Sequence, residues 1–334
     1  MSSVMDLPWQ ALLIIAIALV FDFLNGLHDS SNIVATMIAS QSMGPRTALW
    51  LTAICNGAGP FLFGVAVATT IGHEVVAEQA ITVAVIASAL VAAVVWNVFT
   101  WQVGIPSSSS HALIGGIIGA AVTAQGFKAI LLGGLLKVVI ALLISPPLGF
   151  LAGFLVVKLA LLVGHGFSPR INDAFRRGQW LTAVALALSH GTNDAQKTMG
   201  IITMSLVATG VLSTFHVPTW VIVISAAAIA LGTVFGGWSL IKTLGRGFYK
   251  VRPVHGFGTQ VASAAVILGA ALLGGPVSTT QVVGSAIMGA GSAERLSKVR
   301  WGLAGQIVWA WLLTIPASGT LSGLIHWLIA DRII

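Results

Sequence analysis

Apolar residues run through this chain in blocks of about twenty or more, the length that carries a helix across a hydrocarbon layer of roughly 30 Å. The clearest blocks cover residues 7–25, 48–71, 80–101, 129–157, 219–241 and 302–329. They follow one another from end to end without a charged or Ser/Pro-rich linker. The pattern therefore predicts a single all-α polytopic membrane domain. No basic segment precedes the first block, whose nearest charge is Asp6, so it reads as a retained span and not a cleaved leader.

The polar interruptions form a second pattern. Gly26-Leu27-His28-Asp29 is echoed by Gly191-Thr192-Asn193-Asp194, and Pro106-Ser107-Ser108-Ser109-Ser110-His111 by Pro276-Val277-Ser278-Thr279-Thr280-Gln281. The first pair is offset by 165 residues (194 minus 29) and the second by 170 (276 minus 106). Two matched pairs in the same order imply an internal duplication. It divides the chain into a first repeat at 1–163, a cytoplasmic linker loop at 164–180 and a second repeat at 181–334.

Loop charges orient the repeats. Arg170, Arg176 and Arg177 outweigh Asp173 in one loop, and Lys242, Arg246, Lys250 and Arg252 stand without an acid in another, so both should be cytoplasmic. The loop with Glu74 and Glu78 and the uncharged stretch 212–218 should face outward. Arg295, Lys298 and Arg300 agree with this threading; Lys128 does not. It closes only if the Pro-Ser segments turn back within the membrane, giving three crossings per half and both termini outside. The expected fold is two inverted-topology repeats with broken helices and re-entrant helical hairpins, a plan of secondary transporters.

Composition sharpens the class. Hydrophobic residues make up 57% and charged residues 7%, against about 25% charged in soluble domains. The net charge of +7 comes from short loops, and no basic groove with interleaved aromatics exists, so nucleic acid is excluded as a partner. The single Cys55 excludes an intrachain disulfide and Cys-based metal clusters. Trp9, Trp50, Trp180, Trp220 and Trp327 lie near span ends, where an aromatic belt meets the bilayer interface.

An ionised carboxylate at membrane depth costs at least about 2.5–3.5 kcal/mol, so Asp22, Asp29 and Asp194 each need a partner. Asp29 and Asp194 each follow a Gly expected to break the helix. Around them stand Asn25, His28, Ser30, Ser31 and Asn32 in one half, and His190, Asn193, Gln196 and Lys197 in the other. Such clusters suit a hard cation or a proton. Interhelical hydrogen bonding is the plainer role, and duplication of the aspartates argues against it. Asp22 maps to Ala187 and is a weaker candidate.

The hydroxyl runs at 107–110 and 278–280 are expected to open helices at 112–124 and 282–291. A helix start favours an anion, and two facing copies could cradle a tetrahedral oxyanion. Ordinary N-capping is the alternative. Lys197 either neutralises Asp194, touches the anion or lies along its helix. His111 and Gln281 hold matched positions and fit a supporting polar role. Glu74, Glu78, His73, His165, His216, His255 and His326 are assigned nothing.

Residues 25–29 (Asn-Gly-Leu-His-Asp), residues 189–200 (from Ser189-His190-Gly191 to Lys197-Thr198-Met199-Gly200), 104–116 and 276–289 resemble the signatures of the inorganic phosphate transporter (Pit) family, bacterial low-affinity type. The resemblance covers nearly the whole chain. It implies a plasma-membrane symporter of inorganic phosphate, coupled to H+ or Na+, without a further cofactor, and homodimeric. On that pattern Ser108, Ser109, Ser110, Ser278, Thr279 and Thr280 line the anion site. Asn25, Asp29, Asn193 and Asp194 hold the coupling ion, with Asp29 and Asp194 as metal ligands if it is sodium, and His28, His111, Lys197 and Gln281 are accessory. His28 stands where the other half has Asn193, and Gln281 where many members have His. A sulfate permease and an anion channel are the rival transport readings. An intramembrane hydrolase is the rival enzyme, but neither a Gly-Asp nor a Gly-x-Ser-Gly pattern is present.

Overall fold

In a bilayer every backbone N–H and C=O must find its partner inside the protein, and a helix does so within one segment. The computed structural model describes residues 7–105, 107–166, 168, 170–236 and 251–330, nearly all of them in helices joined by short turns. The first half contains α1 (Trp9–Ala39), α2 (Pro45–Ala58), a four-residue α3 (Ala66–Thr69) continued by a π turn (Thr70–Glu74), α4 (Val83–Val103), α5 (Ser109–Gln125) and α6 (Leu132–Val163). The second contains α7 (Ile171–Ala208), α8 (Thr219–Phe235), α9 (Pro253–Leu272), α10 (Thr279–Ser292) and α11 (Trp301–Ile329). Among the described residues α1, α4, α6, α9 and the Ile307–Ile329 part of α11 are long and apolar enough to cross a membrane, and the bent pair α2–α3 adds a sixth candidate. The chain is a multi-pass membrane protein.

The two repeats lie in opposite orientation and exchange partners. α1 packs on α8 as α7 packs on α2, and α5 packs on α11 as α10 packs on α6. Lipid tails are as apolar as leucine, so close packing of small residues, not water exclusion, drives such crossings. A Cβ on Gly26 would lie 2.3 Å from the Ile229 carbonyl oxygen, and one on Gly191 2.1 Å from that of Asn56. The sequence predicts helix breaks at these glycines, yet α1 and α7 run through them unbroken. Their missing side chains serve close approach of backbones.

The break occurs elsewhere. Residues 48–71, expected as one span, are bent by 69° between Pro45–Phe61 and Ala66–Glu74. Gln196 of α7 bridges the gap: its Nε2 donates to the Gly64 carbonyl at 2.8 Å, and its Oε1 accepts from the Val67 and Ala68 N–H groups at 2.8 and 3.3 Å. One side chain thus satisfies backbone groups on both sides of the break.

Both hydroxyl runs sit at the tips of helical hairpins. α4 stops at Gly104, whose φ of 74° is left-handed, and the chain returns as α5; α9 and α10 form the counterpart, with Gly274 at φ 72°. The returning helices start three residues before their expected positions because Ser108 and Ser278 cap them, accepting from the N–H groups of His111 and Gln281. The base of the first hairpin is tied by backbone bonds, Ala77 N–H to Ala129 O at 2.8 Å and Leu131 N–H to Val75 O at 2.9 Å. The base of the second is tied by Glu294, which pairs with Arg252 and Lys298 and lies 3.2 Å from His255. His255 and Glu74 therefore have structural roles that the sequence did not suggest, Glu74 through a 3.0 Å ion pair with Lys137.

Residues 171–180, expected in the linker, are the first turns of α7, so the connection covers 164–170. Asp6, Pro106, and Lys242, Arg246 and Lys250 of the expected basic loop lie outside the described residues, as does the 237–241 end of the expected span after Thr219.

Candidate functional site

Residues spaced four and three apart share one helix face. On α1 this brings Asn25, Asp29 and Asn32 into line, and on α7 His190, Asp194 and Lys197. The offset that relates the aspartates relates the other two pairs as well. All six side chains are buried, Asp194, His190 and Lys197 completely. The tips of the two hairpins reach this pair of faces.

Thr279, at the start of α10, stands between the two aspartates. Its hydroxyl lies 3.2 Å from Asp29 Oδ2 and 3.0 Å from Asp194 Oδ2. Thr280 donates to Asp29 Oδ1 at 2.7 Å, and the Asn32 amide donates to both Asp29 Oδ1 (2.7 Å) and Thr280 Oγ1 (2.9 Å). On the other side Lys197 pairs with Asp194 Oδ1 and donates to Ser110 Oγ at 2.6 Å. Ser110 in turn donates to the Val277 carbonyl at 3.0 Å, joining one hairpin tip to the other. Ser109 donates to Asn25 Oδ1 at 2.6 Å.

Two carboxylates that share one hydroxyl repel each other unless positive charge stands nearby. Lys197 supplies one such charge. His190 supplies a polar nitrogen, with Nε2 2.9 Å from Asp194 Oδ2 and 3.7 Å from Asp29 Oδ2. Ligand atoms of Asp29, His190 and Asp194 all lie within 4.8 Å of one another, a spacing that a cation can bridge. The α5 and α10 starts add backbone N–H groups at Ser109, Ser110, Thr279 and Thr280 that no intrahelical carbonyl can reach. Cation-favouring and anion-favouring groups therefore adjoin.

The residues singled out in the sequence divide accordingly. Asp29, Asp194, Lys197, Ser110, Thr279 and Thr280 come together in one network, and Asn25 and Ser109 pair with each other. Ser108 and Ser278 act as caps. Asn193 is buried with neither amide atom hydrogen-bonded among the described residues, as is Asp22 with both carboxyl oxygens. His28 packs near Trp101, their ring centroids 6.1 Å apart. His111 and Gln281 meet, the Gln281 Nε2 lying 3.4 Å from either ring nitrogen, while His111 Nδ1 is 2.7 Å from Ser108 Oγ. From sequence alone His190 and Asn32 read only as polar neighbours of the aspartates. The signal that distinguishes them was present: under the aspartate offset Asn25 maps to His190 and Asn32 to Lys197.

Comparison with known proteins gives concordant results. The model of the "Phosphate transporter family" matches residues 25–166 and 162–322. A "Probable low-affinity inorganic phosphate transporter" of Rhizobium meliloti (strain 1021) is 45% identical over 315 residues, 94% of each chain. One of the same description from Bacillus subtilis (strain 168) is 42% identical over 322 residues, covering 95% of this chain and 96% of that one. A solved structure described as "The sodium-dependent phosphate transporter" superposes with a TM-score of 0.87 at 23% identity, over 97% of this chain and 100% of the other, and shows the same fold.

Proposed function

The chain belongs to the phosphate transporter family, and we propose that it is a secondary active transporter. In this reading it carries inorganic phosphate across the plasma membrane together with a cation, H+ or Na+, by alternating access. The observation that carries the proposal is the Thr279 hydroxyl between Asp29 Oδ2 and Asp194 Oδ2. There a hairpin tip built to favour an anion touches the carboxylates that attract a cation. Binding of either ligand changes the electrostatics for the other, which is what coupling requires.

The steps follow from charge. With no external cation, the carboxylate pair carries one negative charge beyond what the Lys197 ammonium offsets and repels an incoming anion despite the N–H groups around it. A cation beside the carboxylates removes that repulsion and frees the Thr279 and Thr280 hydroxyls, which then turn toward phosphate along with Ser109 and Ser110. The inverted repeats rock about the loaded site and expose it to the other side. Repeats at 1–163 and 181–334, both termini outside, and a homodimeric assembly belong to this reading. So does the absence of enzymatic turnover. Phosphate at neutral pH retains a proton that it can donate to a carboxylate, whereas sulfate has none, so the aspartates favour phosphate.

The test is uptake of radiolabelled phosphate and sulfate by purified protein in liposomes. The expected result is saturable phosphate uptake unaffected by excess sulfate, lost in Asp29→Asn while that variant still inserts. Sulfate accumulation without phosphate uptake would assign the site to another anion, and proteolysis of a transmembrane reporter abolished by Asp29→Asn would assign it to a hydrolase.

A further inference from the structure

The two halves of the site share one bridge, built with different charges. In the first, the Asn32 amide bridges Asp29 Oδ1 and Thr280 Oγ1. In the second, the Lys197 ammonium bridges Asp194 Oδ1 and Ser110 Oγ. Asn32 and Lys197 are related by the offset that relates the aspartates, and Ser110 and Thr280 by the offset that relates the hairpin tips. Lys197 is therefore the positional and bonding equivalent of a neutral amide. We propose that Lys197 is a tethered cation that fills the second of two equivalent half-sites, so that phosphate is coupled to one external cation, on the Asp29 side, and not to two.

Charge and burial support this count. Asp29 with Asn32 carries one negative charge; Asp194 with Lys197 carries none. Both pairs are buried, and an uncompensated charge there is costly, so each half-site must be neutral before an anion enters. The second meets that condition permanently. The first meets it only when a monovalent cation arrives beside Asp29. Asp22 takes part in neither bridge.

The inference rests on the coupled-transport reading, and equilibrium binding separates the two. Radiolabelled phosphate binding to the purified full chain is measured against sodium at fixed pH, and against pH without sodium, corrected for the ionisation of phosphate itself. By linkage, one coupled cation means that a tenfold drop in the effective cation weakens phosphate affinity about tenfold, and two mean about a hundredfold. Wild type should show the tenfold dependence in one arm. Lys197→Asn, which gives the second half the chemistry of the first, should show the hundredfold dependence in that same arm. Asn32→Lys, the mirror change, should bind phosphate without cation dependence, and it keeps the test open if Lys197→Asn does not fold. A hundredfold dependence in wild type, or an unchanged tenfold dependence in a phosphate-binding Lys197→Asn, overturns the tethered cation alone. Absence of phosphate binding in both arms removes the transport reading and this inference with it.

Discussion

The centre of the molecule and the bases of its hairpins treat the internal duplication differently. At the centre, matched residues of the two halves make matched hydrogen bonds: Asn32 and Lys197 bridge an aspartate and a hairpin hydroxyl in the same way. At the bases the ties among the described residues differ. One hairpin is tied by backbone bonds near Val75 and Ala129, the other by an ionic cluster around Glu294. Where both halves must close on a shared ligand, their geometry is tied together and only charge is free to differ. Where each half faces its own side of the membrane, no such constraint acts.

Asp194→Asn should have the largest effect on this contrast. It leaves the buried Lys197 ammonium without its carboxylate, at a cost of about 3–5 kcal/mol. Thermal unfolding in detergent should show the loss, and adding Lys197→Met should recover most of the stability without restoring uptake. Asp29→Asn, with no ammonium to strand, should lose coupled uptake for a smaller penalty of about 1–3 kcal/mol. Equal destabilisation by the two asparagines would mean that the half-sites do not differ in charge as described.

Gly26→Ala and Gly191→Ala test the shared scaffold of the centre. Each would push a Cβ to within 2.3 or 2.1 Å of a carbonyl oxygen on a crossing helix, and overpacking of this kind costs about 1–3 kcal/mol. The two losses should be similar, read as unfolding midpoints. Gln196→Leu should cost about 1–3 kcal/mol by leaving Gly64 O and Val67 N–H unsatisfied at the helix break. Here the halves do differ: under the same offset Gln196 maps to Ser31, which bonds the His28 carbonyl of its own helix.

The smallest effect belongs to the base of the second hairpin. Burial opposes ionisation of Glu294, but the hydrogen bond from Lys298 and the charge of Arg252 prevail and hold its carboxyl below its ordinary range. A folded value below the unfolded one means that the clamp stabilises the protein above the ordinary carboxylate range and is lost as pH falls through the folded value. Its charged partners Arg252 and Lys298 are 47% and 38% exposed, so Glu294→Gln should cost less than about 1 kcal/mol at neutral pH. The difference from wild type should shrink with added salt and vanish in acid. Persistence of the full difference in acid would show that the cluster acts through packing.

Much of this architecture is legible in the chain. Apolar blocks, loop charges and the two duplicated motifs lead to inverted repeats with hairpins, and Asp29, Asp194, Ser110, Thr279 and Thr280, named from them, do meet. What is not legible depends on which helix lies against which. Gly26 reads as a breaker until α8 is placed beside it, and residues 48–71 read as one span although Gly59, Pro60 and Gly64 mark the bend. Gln196 reads as a neighbour of Asp194 until α3 is seen to begin at its side chain. Asn32 and His190 were hidden for another reason: only the full offset, carried past the aspartates along each helix, gives them partners.

The most direct measurement of the central claim is radiolabelled phosphate accumulation in proteoliposomes with a sodium gradient or a pH gradient imposed alone. The account predicts accumulation above equilibrium in response to one of the two gradients, and its loss in Asp29→Asn. Phosphate that merely equilibrates across the membrane under both gradients would contradict it.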